Sequence, residues 1–367
     1  MNKNTDFGFI RAASAVPTVK VADTQHNTKE ICELIDKAYN NEASIVAFPE
    51  LCITGYSCGD LFSQNLLLRS AEQGVAKVIE FSRGKDIVII IGTPVSFRGR
   101  LYNCAAVIRN GNLKGLVPKI YLPNYNEFYE ARWFASGSDF LNGGNNCDGR
   151  FLNNGKDCVR EGFTAEIRYA GQRCNISPNI LFNVGDATLA IEICEDMWTP
   201  ISPSSFHALA GAQIIVNLSA SNEVLMKNQY REGILRQHSA RIISAYVYCS
   251  AGFGESTQDL VYGGSSSIWE NGSRLAENER FQHESSIIYA DIDIEKLDQQ
   301  RRLRNTFKSI APDGTDATSY ERLYSRISVG DACKTDFEKR LLRTVEPHPF
   351  VPKTDLDYRC SEILSLQ

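Results

Sequence analysis

The sequence predicts an α/β fold built from two halves, and three observations carry that prediction. Short runs rich in β-branched residues, such as Ala43–Phe48 and Ala187–Ile191, alternate with segments whose apolar residues recur at helical spacing. Asn110-Gly111 and Asn271-Gly272 each mark a two-residue hairpin turn near the close of a half. The stretch from Asp139 to Ser177 is turn-rich, with Gly143-Gly144-Asn145-Asn146, Asn153-Asn154-Gly155 and Gly171, and has no sustained periodicity. It reads as an inserted surface excursion with a short hairpin.

Taken in order, Phe7–Ala13 reads as the first strand. Asn27-x-x-Glu30 is a candidate capping box for a helix carrying Ile31, Leu34, Ile35 and Ala38 on one face. A helix is expected over Leu61–Phe81, with Leu66, Leu67, Gly74, Val75, Val78 and Ile79 facing inward. Asp86–Gly92 is a central strand, and Tyr102–Ile108 and Leu113–Val117 flank the first hairpin turn. In the second half a strand ends at Cys194, followed by a short helix over Ser204–Ala210 and a strand over Gln213–Leu218. A helix over Met226–Ile243, a strand over Ala245–Cys249, the second hairpin and a strand over Ser286–Ile292 complete it. Glu295–Phe307 is a charged amphipathic helix with Leu297 and Leu303, and Arg301-Arg302-Leu303-Arg304 reads as a solvated or interface face. Pro347, Pro349 and Pro352 mark a linker, and a new helix begins at Arg359.

Composition excludes several classes. With 43% apolar residues in 367, the chain can bury a full core as one large domain or two. A net charge of −5 and no basic run argue against nucleic acid or an anionic membrane as partner. Met1–Asp6 has no apolar signal region, and the apolar stretch Ile87–Ile91 is too short to span a bilayer. Eleven irregularly spaced cysteines fit free thiols in a reducing, cytoplasmic setting better than a disulfide framework. Without Cys-x-x-Cys or His-x-x-x-His pairs, no metal site is expected.

Three strand ends carry chemistry. The run Ala187–Ile191 leads to Cys194 between Glu192 and Glu195; Phe48-Pro49-Glu50 ends another run on a carboxylate; Val117-Pro118-Lys119 ends a third on an amine. Active sites of open α/β sheets lie beyond the carboxyl ends of strands. Amide hydrolysis through a thiol needs a base, an oxyanion donor and an acid for the leaving ammonia, and a carboxylate and an ammonium can supply these without histidine. Gly263-Gly264-Ser265-Ser266-Ser267 is not a phosphate loop, because it lacks the Gly-Lys-Ser/Thr close.

Glu, Lys and Cys at three strand ends resemble the nitrilase, or carbon–nitrogen hydrolase, superfamily. The flanking words narrow this. Phe48-Pro49-Glu50-Leu51 with Thr54-Gly55-Tyr56, Pro118-Lys119-Ile120-Tyr121-Leu122-Pro123-Asn124-Tyr125 with Phe128-Tyr129-Glu130, and Cys194-Glu195-Asp196-Met197-Trp198 are similar to the glutaminase domain of glutamine-dependent NAD⁺ synthetases. The resemblance implies a four-layer α-β-β-α sandwich with pseudo-duplicated halves over residues 7–292. Residues 293–367 are then a helical extension and linker toward a following ATP- and Mg²⁺-dependent synthetase domain. It implies a Cys194 nucleophile, Glu50 as base and later acid, Lys119 polarising the carbonyl, and the backbone N–H after Cys194 as a second oxyanion donor. Glu127 is expected to orient the lysine. Tyr125, Ser221 and Lys227 are expected to hold L-glutamine, with Tyr56 and Trp198 shaping the pocket wall. The glutaminase step needs no cofactor. The partners implied are glutamine, the synthetase domain in cis, and further copies in a homo-oligomer. Two alternatives stand beside this: a free-standing amidase or carbamoylase on another small amide, and a non-catalytic scaffold around an ammonia tunnel.

Overall fold

Strands buried on both faces read as continuous apolar runs, and two sets of them build the molecule. The computed structural model describes residues 8–141, 164–309, 317–333, 341–345, 347–348 and 355–367. Its strands are β1 (Phe9–Val16), β2 (Ile45–Ala47), β3 (Val88–Phe97), β4 (Arg100–Arg109), β5 (Asn112–Pro118), β6 (Ala165–Tyr169), β7 (Gln172–Ile176) and β8 (Ile180–Val184). They continue with β9 (Ala187–Ile193), β10 (Ile214–Ser219), β11 (Ala245–Ser250), β12 (Ser266–Glu270), β13 (Ser273–Glu277), β14 (Ser286–Asp293) and β15 (Ser325–Gly330). One sheet has the order β14-β1-β2-β3-β4-β5-β7-β6 and the other β13-β12-β11-β10-β9-β8-β15.

Alternation along the central strands sorts side chains into layers. On β1, Ala13 and Ala15 face helices α1 (Thr24–Asn40) and α2 (Asn65–Phe81), while Ile10 and Ala12 enter the core between the sheets. On β10, Val216 and Leu218 enter that same core, and Ile215 faces α3 (Pro203–Leu209) and α4 (Lys227–Arg241). Helix, sheet, sheet and helix thus stack in four layers, an α/β sandwich of the nitrilase type. Both Asn-Gly turns are present with positive φ at each residue, Asn110 at 46° and Gly111 at 74°, Asn271 at 45° and Gly272 at 85°, as the mirror-image type I turn requires.

Several elements differ from the sequence reading. The first helix begins at Thr24, capped by Asp23, whose Oδ1 accepts from the His26 N–H at 3.0 Å. Asn27 is buried instead, bonded to Lys20 and Ile53. Gln64 divides the expected Leu61–Phe81 helix into a 3₁₀ turn (Gly59–Ser63) and α2, which leaves Leu66 78% exposed. In the turn-rich excursion β6 and β7 form the expected hairpin, through Ala170 and Gly171; residues 142–163 lie outside the described residues.

Several described residues beyond 293 also pack onto this body. Helix α5 (Ile294–Leu303) buries Leu297 in the inter-sheet core, and Arg301 donates to the carbonyls of Ala212 and Ile243 rather than facing solvent. After α6 (Ala317–Arg322), strand β15 pairs in parallel with β8. Leu342 N–H donates to Asp291 Oδ2 at 2.7 Å, and Arg343 grips Glu270 at 2.6 and 3.0 Å. Of the linker prolines, Pro349 and Pro352 lie outside the described residues. Helix α7 (Leu356–Leu366) starts three residues before Arg359. Among the described residues no helix is long and apolar enough to cross a membrane.

Candidate active site

The three predicted strand ends meet at the seam between the sheets. β2 and β5 of the first sheet lead to Glu50 and Lys119, and β9 of the second leads to Cys194. The turn carrying Glu50 presses on β3 at Gly92, where a Cβ would stand 2.2 Å from the Leu51 nitrogen; only glycine allows that approach. Cys194 has a φ of 44° and opens a 3₁₀ turn (Cys194–Trp198). A non-glycine residue in the left-handed region costs about 1–3 kcal/mol and persists where surrounding bonds over-determine it.

Lys119 is fully buried, and its Nζ donates to Glu50 Oε1 at 2.6 Å and to both oxygens of Glu130 at 2.7 and 2.9 Å. Asn103 Nδ2 also donates to Glu50 Oε1, at 2.7 Å, while Glu50 Oε2 is buried with no hydrogen-bond partner. Burial alone would lower the Lys119 pKa, but Glu130, Glu50 and Cys194 outweigh it and hold the ammonium well above its usual range. Burial pushes the Glu130 carboxyl up, opposed by Lys119 and reinforced by Glu50. Burial, then Glu50, also raises the Cys194 thiol, while Lys119 lowers it. The balance of these effects favours the thiol over the thiolate.

The second acid on the lysine is thus Glu130, not Glu127. The loop after β5 returns through a 3₁₀ turn (Glu130–Arg132) whose Glu130 N–H donates to Pro123 O at 3.1 Å, and this carries Glu130 inward. Glu127 stays at the rim, where its Oε1 accepts from Asn222 Nδ2.

A cavity of about 490 Å³ opens onto Cys194 and is lined also by Tyr125, Ser221, Lys227 and Trp198. Ser221 Oγ is buried and unpartnered, Lys227 Nζ bonds Asn222 Oδ1, and the same amine lies 5.2 Å from the Trp198 ring centroid. Tyr56 is not on this wall. It stands behind the site, donating its hydroxyl to Glu130 Oε1 at 2.7 Å, and lines a neighbouring cavity of about 710 Å³ that shares Glu127 with the first. Sequence reasoning also passed over Glu195, which lines the cavity and accepts from the Tyr125 hydroxyl at 2.9 and 3.0 Å. Its adjacency to Cys194 was the available signal. Among the described residues no group of three or more His, Cys, Asp and Glu is placed to hold a metal ion.

A family model described as carbon-nitrogen hydrolase matches residues 11–302. A glutamine-dependent NAD(+) synthetase from Mycobacterium leprae is 34% identical over 372 residues, covering 98% of this chain and 50% of the relative. The Homo sapiens protein of the same name is 28% identical over 287 residues, covering 76% of this chain and 38% of its own length. The chain thus spans about half the length of the curated relatives it matches, or less. A crystal structure of a glutamine-dependent NAD(+) synthetase from Cytophaga hutchinsonii superposes with a TM-score of 0.64 at 29% identity, over 77% of this chain and 43% of that one. A cysteine-to-alanine mutant of the amidase from Nesterenkonia sp. AN1, solved in complex with butyramide, shares the fold at 16% identity and a TM-score of 0.58, over 80% of this chain and 95% of that one. The family match runs from β1 through β14, leaving out only β15 of the strands, and it includes Glu50, Lys119, Glu130 and Cys194: the chain belongs to the carbon-nitrogen hydrolase family.

Proposed function

We propose that this chain is the glutaminase part of a glutamine-dependent NAD⁺ synthetase, hydrolysing the side-chain amide of L-glutamine through a thioester on Cys194. One observation carries the reading: a buried amine held between two carboxyl groups, one with a free oxygen, close enough to the Cys194 thiol to act on it. In the proposed reaction Glu50 Oε2 takes the thiol proton as sulfur attacks the amide carbon. The oxyanion is met by the Lys119 ammonium and the backbone N–H after Cys194. Glu50 returns the proton to nitrogen, the carbon–nitrogen bond breaks, and ammonia leaves a thioester. Water, deprotonated by Glu50, attacks that thioester, and the proton returns to sulfur as glutamate departs. Glu130 accepts two hydrogen bonds from Lys119 and keeps it aimed.

Support for glutamine comes from the names of the relatives and from the charges at the cavity rim. Lys227 is assigned to the α-carboxylate, and Glu195, steadied by Tyr125, to the α-ammonium. Ser221 Oγ offers a free donor. A lysine supplies charge without the bidentate fork of an arginine, so affinity is expected to rest on that single contact. Lys227→Met should raise KM for glutamine about 10- to 100-fold, the equivalent of one charge-assisted hydrogen bond of about 1.5–3 kcal/mol, with kcat changed far less; steady-state kinetics check this.

The direct experiment measures glutamate and ammonia released by purified chain from glutamine and from butyramide. Equimolar products from glutamine support the reading, and hydrolysis of butyramide alone replaces it with a simple amidase. The ATP- and Mg²⁺-dependent amidation of nicotinic acid adenine dinucleotide is assigned to the part of the relatives that this chain does not span. Purified chain given glutamine, ATP, Mg²⁺ and nicotinic acid adenine dinucleotide should therefore release ammonia and form no NAD⁺; NAD⁺ above background, read by an enzymatic cycling assay, would refute that division.

A further inference from the structure

Asp196 is 1% exposed and does not line the cavity, yet both of its carboxylate oxygens are committed to backbone N–H groups from opposite sides of the site. Oδ2 accepts from Ile193 at 2.9 Å, and Oδ1 accepts from Tyr121 at 2.8 Å. Ile193 ends β9 and immediately precedes the nucleophile; Tyr121 lies two residues past Lys119, on the chain leaving β5. β9 and β5 belong to different sheets. No ladder bond therefore fixes the thiol relative to the amine. From this bridge we infer that Asp196 is a positioning residue that sets the Cys194 sulfur against the Lys119 ammonium. The inference rests on the amide-hydrolase reading above.

The chemistry of the group fits the task. Burial pushes the Asp196 carboxyl up to about 8, opposed by the Ile193 and Tyr121 N–H groups, and its two oxygens can accept from both of those groups at once. One of them, Ile193 N–H, is freed where the chain reverses at Cys194, and Asp196 closes that turn from within. The other lies across the seam. A comparable inter-sheet tie on the base is weaker: Glu50 N–H donates to Ser219 O at 3.3 Å. An asparagine at 196 would keep the volume but turn its NH₂ toward one of the two N–H groups, breaking one tie.

Asp196→Asn should fold and lower kcat for glutamine about 10- to 100-fold, the loss expected from misplacing reacting groups by about 1 Å, with KM within about threefold of the parent. The separating readout is the pH dependence of Cys194 alkylation by iodoacetamide, followed by mass spectrometry. A sulfur moved away from Lys119 loses its nearby cation, so the alkylation midpoint should move to higher pH. Asp196→Glu, which keeps both acceptors on a longer arm, should show a smaller shift in the same direction, and it serves where the asparagine variant does not fold. A lower melting temperature with an unchanged alkylation profile, or an unchanged kcat, overturns the inference and leaves Asp196 a structural residue only. Alkylation uses no amide substrate. A parent chain that fails to hydrolyse glutamine therefore refutes the proposed function while the profile still tests Asp196.

Discussion

Cys194→Ala is expected to abolish amide hydrolysis while the protein stays folded. The proposed thioester needs a thiol at this position, and among the described residues the cavity presents no other: Cys52 and Cys104 lie in the helix-facing layer, Cys249 lies on β11, and Cys58 lies on the wall of the neighbouring cavity. Loss of the nucleophile in a comparable acyl-transfer unit costs on the order of 10⁶ in kcat, and a fall of that size is expected here. Stability should change little. A buried cysteine packs as a small hydrophobe, and alanine bears the same left-handed backbone conformation as the cysteine it replaces. An electrophilic glutamine analogue should add once to the parent chain, at Cys194, and not to the variant, as intact-mass and peptide mass spectrometry would show. Persistence of the adduct in Cys194→Ala would place the nucleophile elsewhere.

Replacing Lys119 should damage rate and stability together. Loss of one oxyanion donor costs about 10²–10³ in rate, and the lysine also lowers the thiol. Its removal leaves Glu50 and Glu130 facing each other inside the protein without a cation, and stripping one partner from a buried ionic set costs about 3–5 kcal/mol. Lys119→Met should therefore melt well below the parent and show no measurable turnover. Adding Glu130→Gln removes one of the stranded charges, so the double variant should recover part of the melting temperature and none of the activity. Turnover near parental levels in Lys119→Met would sink the mechanism. A double variant no more stable than the single one would show that charge isolation is not what destabilises it.

The parts of the site that were legible in the sequence are those fixed by strands. Glu50, Lys119 and Cys194 follow short apolar runs whose length and composition announce a strand end, and the sheets bring those ends together. The acid beside Lys119 was not legible in the same way. Glu127 and Glu130 occupy one loop without periodicity, and what separates them is a backbone bond from Glu130 to Pro123 that no residue pattern encodes. Tyr56 was assigned to the pocket wall by the resemblance; its neighbours fix a turn, but the direction of its hydroxyl depends on Glu130. In the fold, β8 was hidden because Ile180–Val184 follows a turn-rich stretch, and β15 because Ser325–Gly330 carries only two apolar residues, Ile327 and Val329, too short a signal to stand out from a polar segment. Asn27 offered a helix start by residue type, yet its amide is consumed by the Lys20 and Ile53 carbonyls, leaving the cap to Asp23.

Placing the thiol on one sheet and its amine and base on the other has a consequence for how the enzyme can vary. Within a single sheet, ladder hydrogen bonds would hold such groups to a fixed register. Here, apart from a few ties across the seam such as the Asp196 bridge, the relative placement of sulfur and ammonium rests on two slabs stacked through side chains such as Val107, Phe182, Ile191 and Val216. Interiors of this kind are close-packed and transmit small volume changes as shifts of whole elements. The tolerance of the reaction to substitution is therefore set deep in the stacking layer as much as at the rim. Residues that never approach a substrate act there as spacers that calibrate the chemistry.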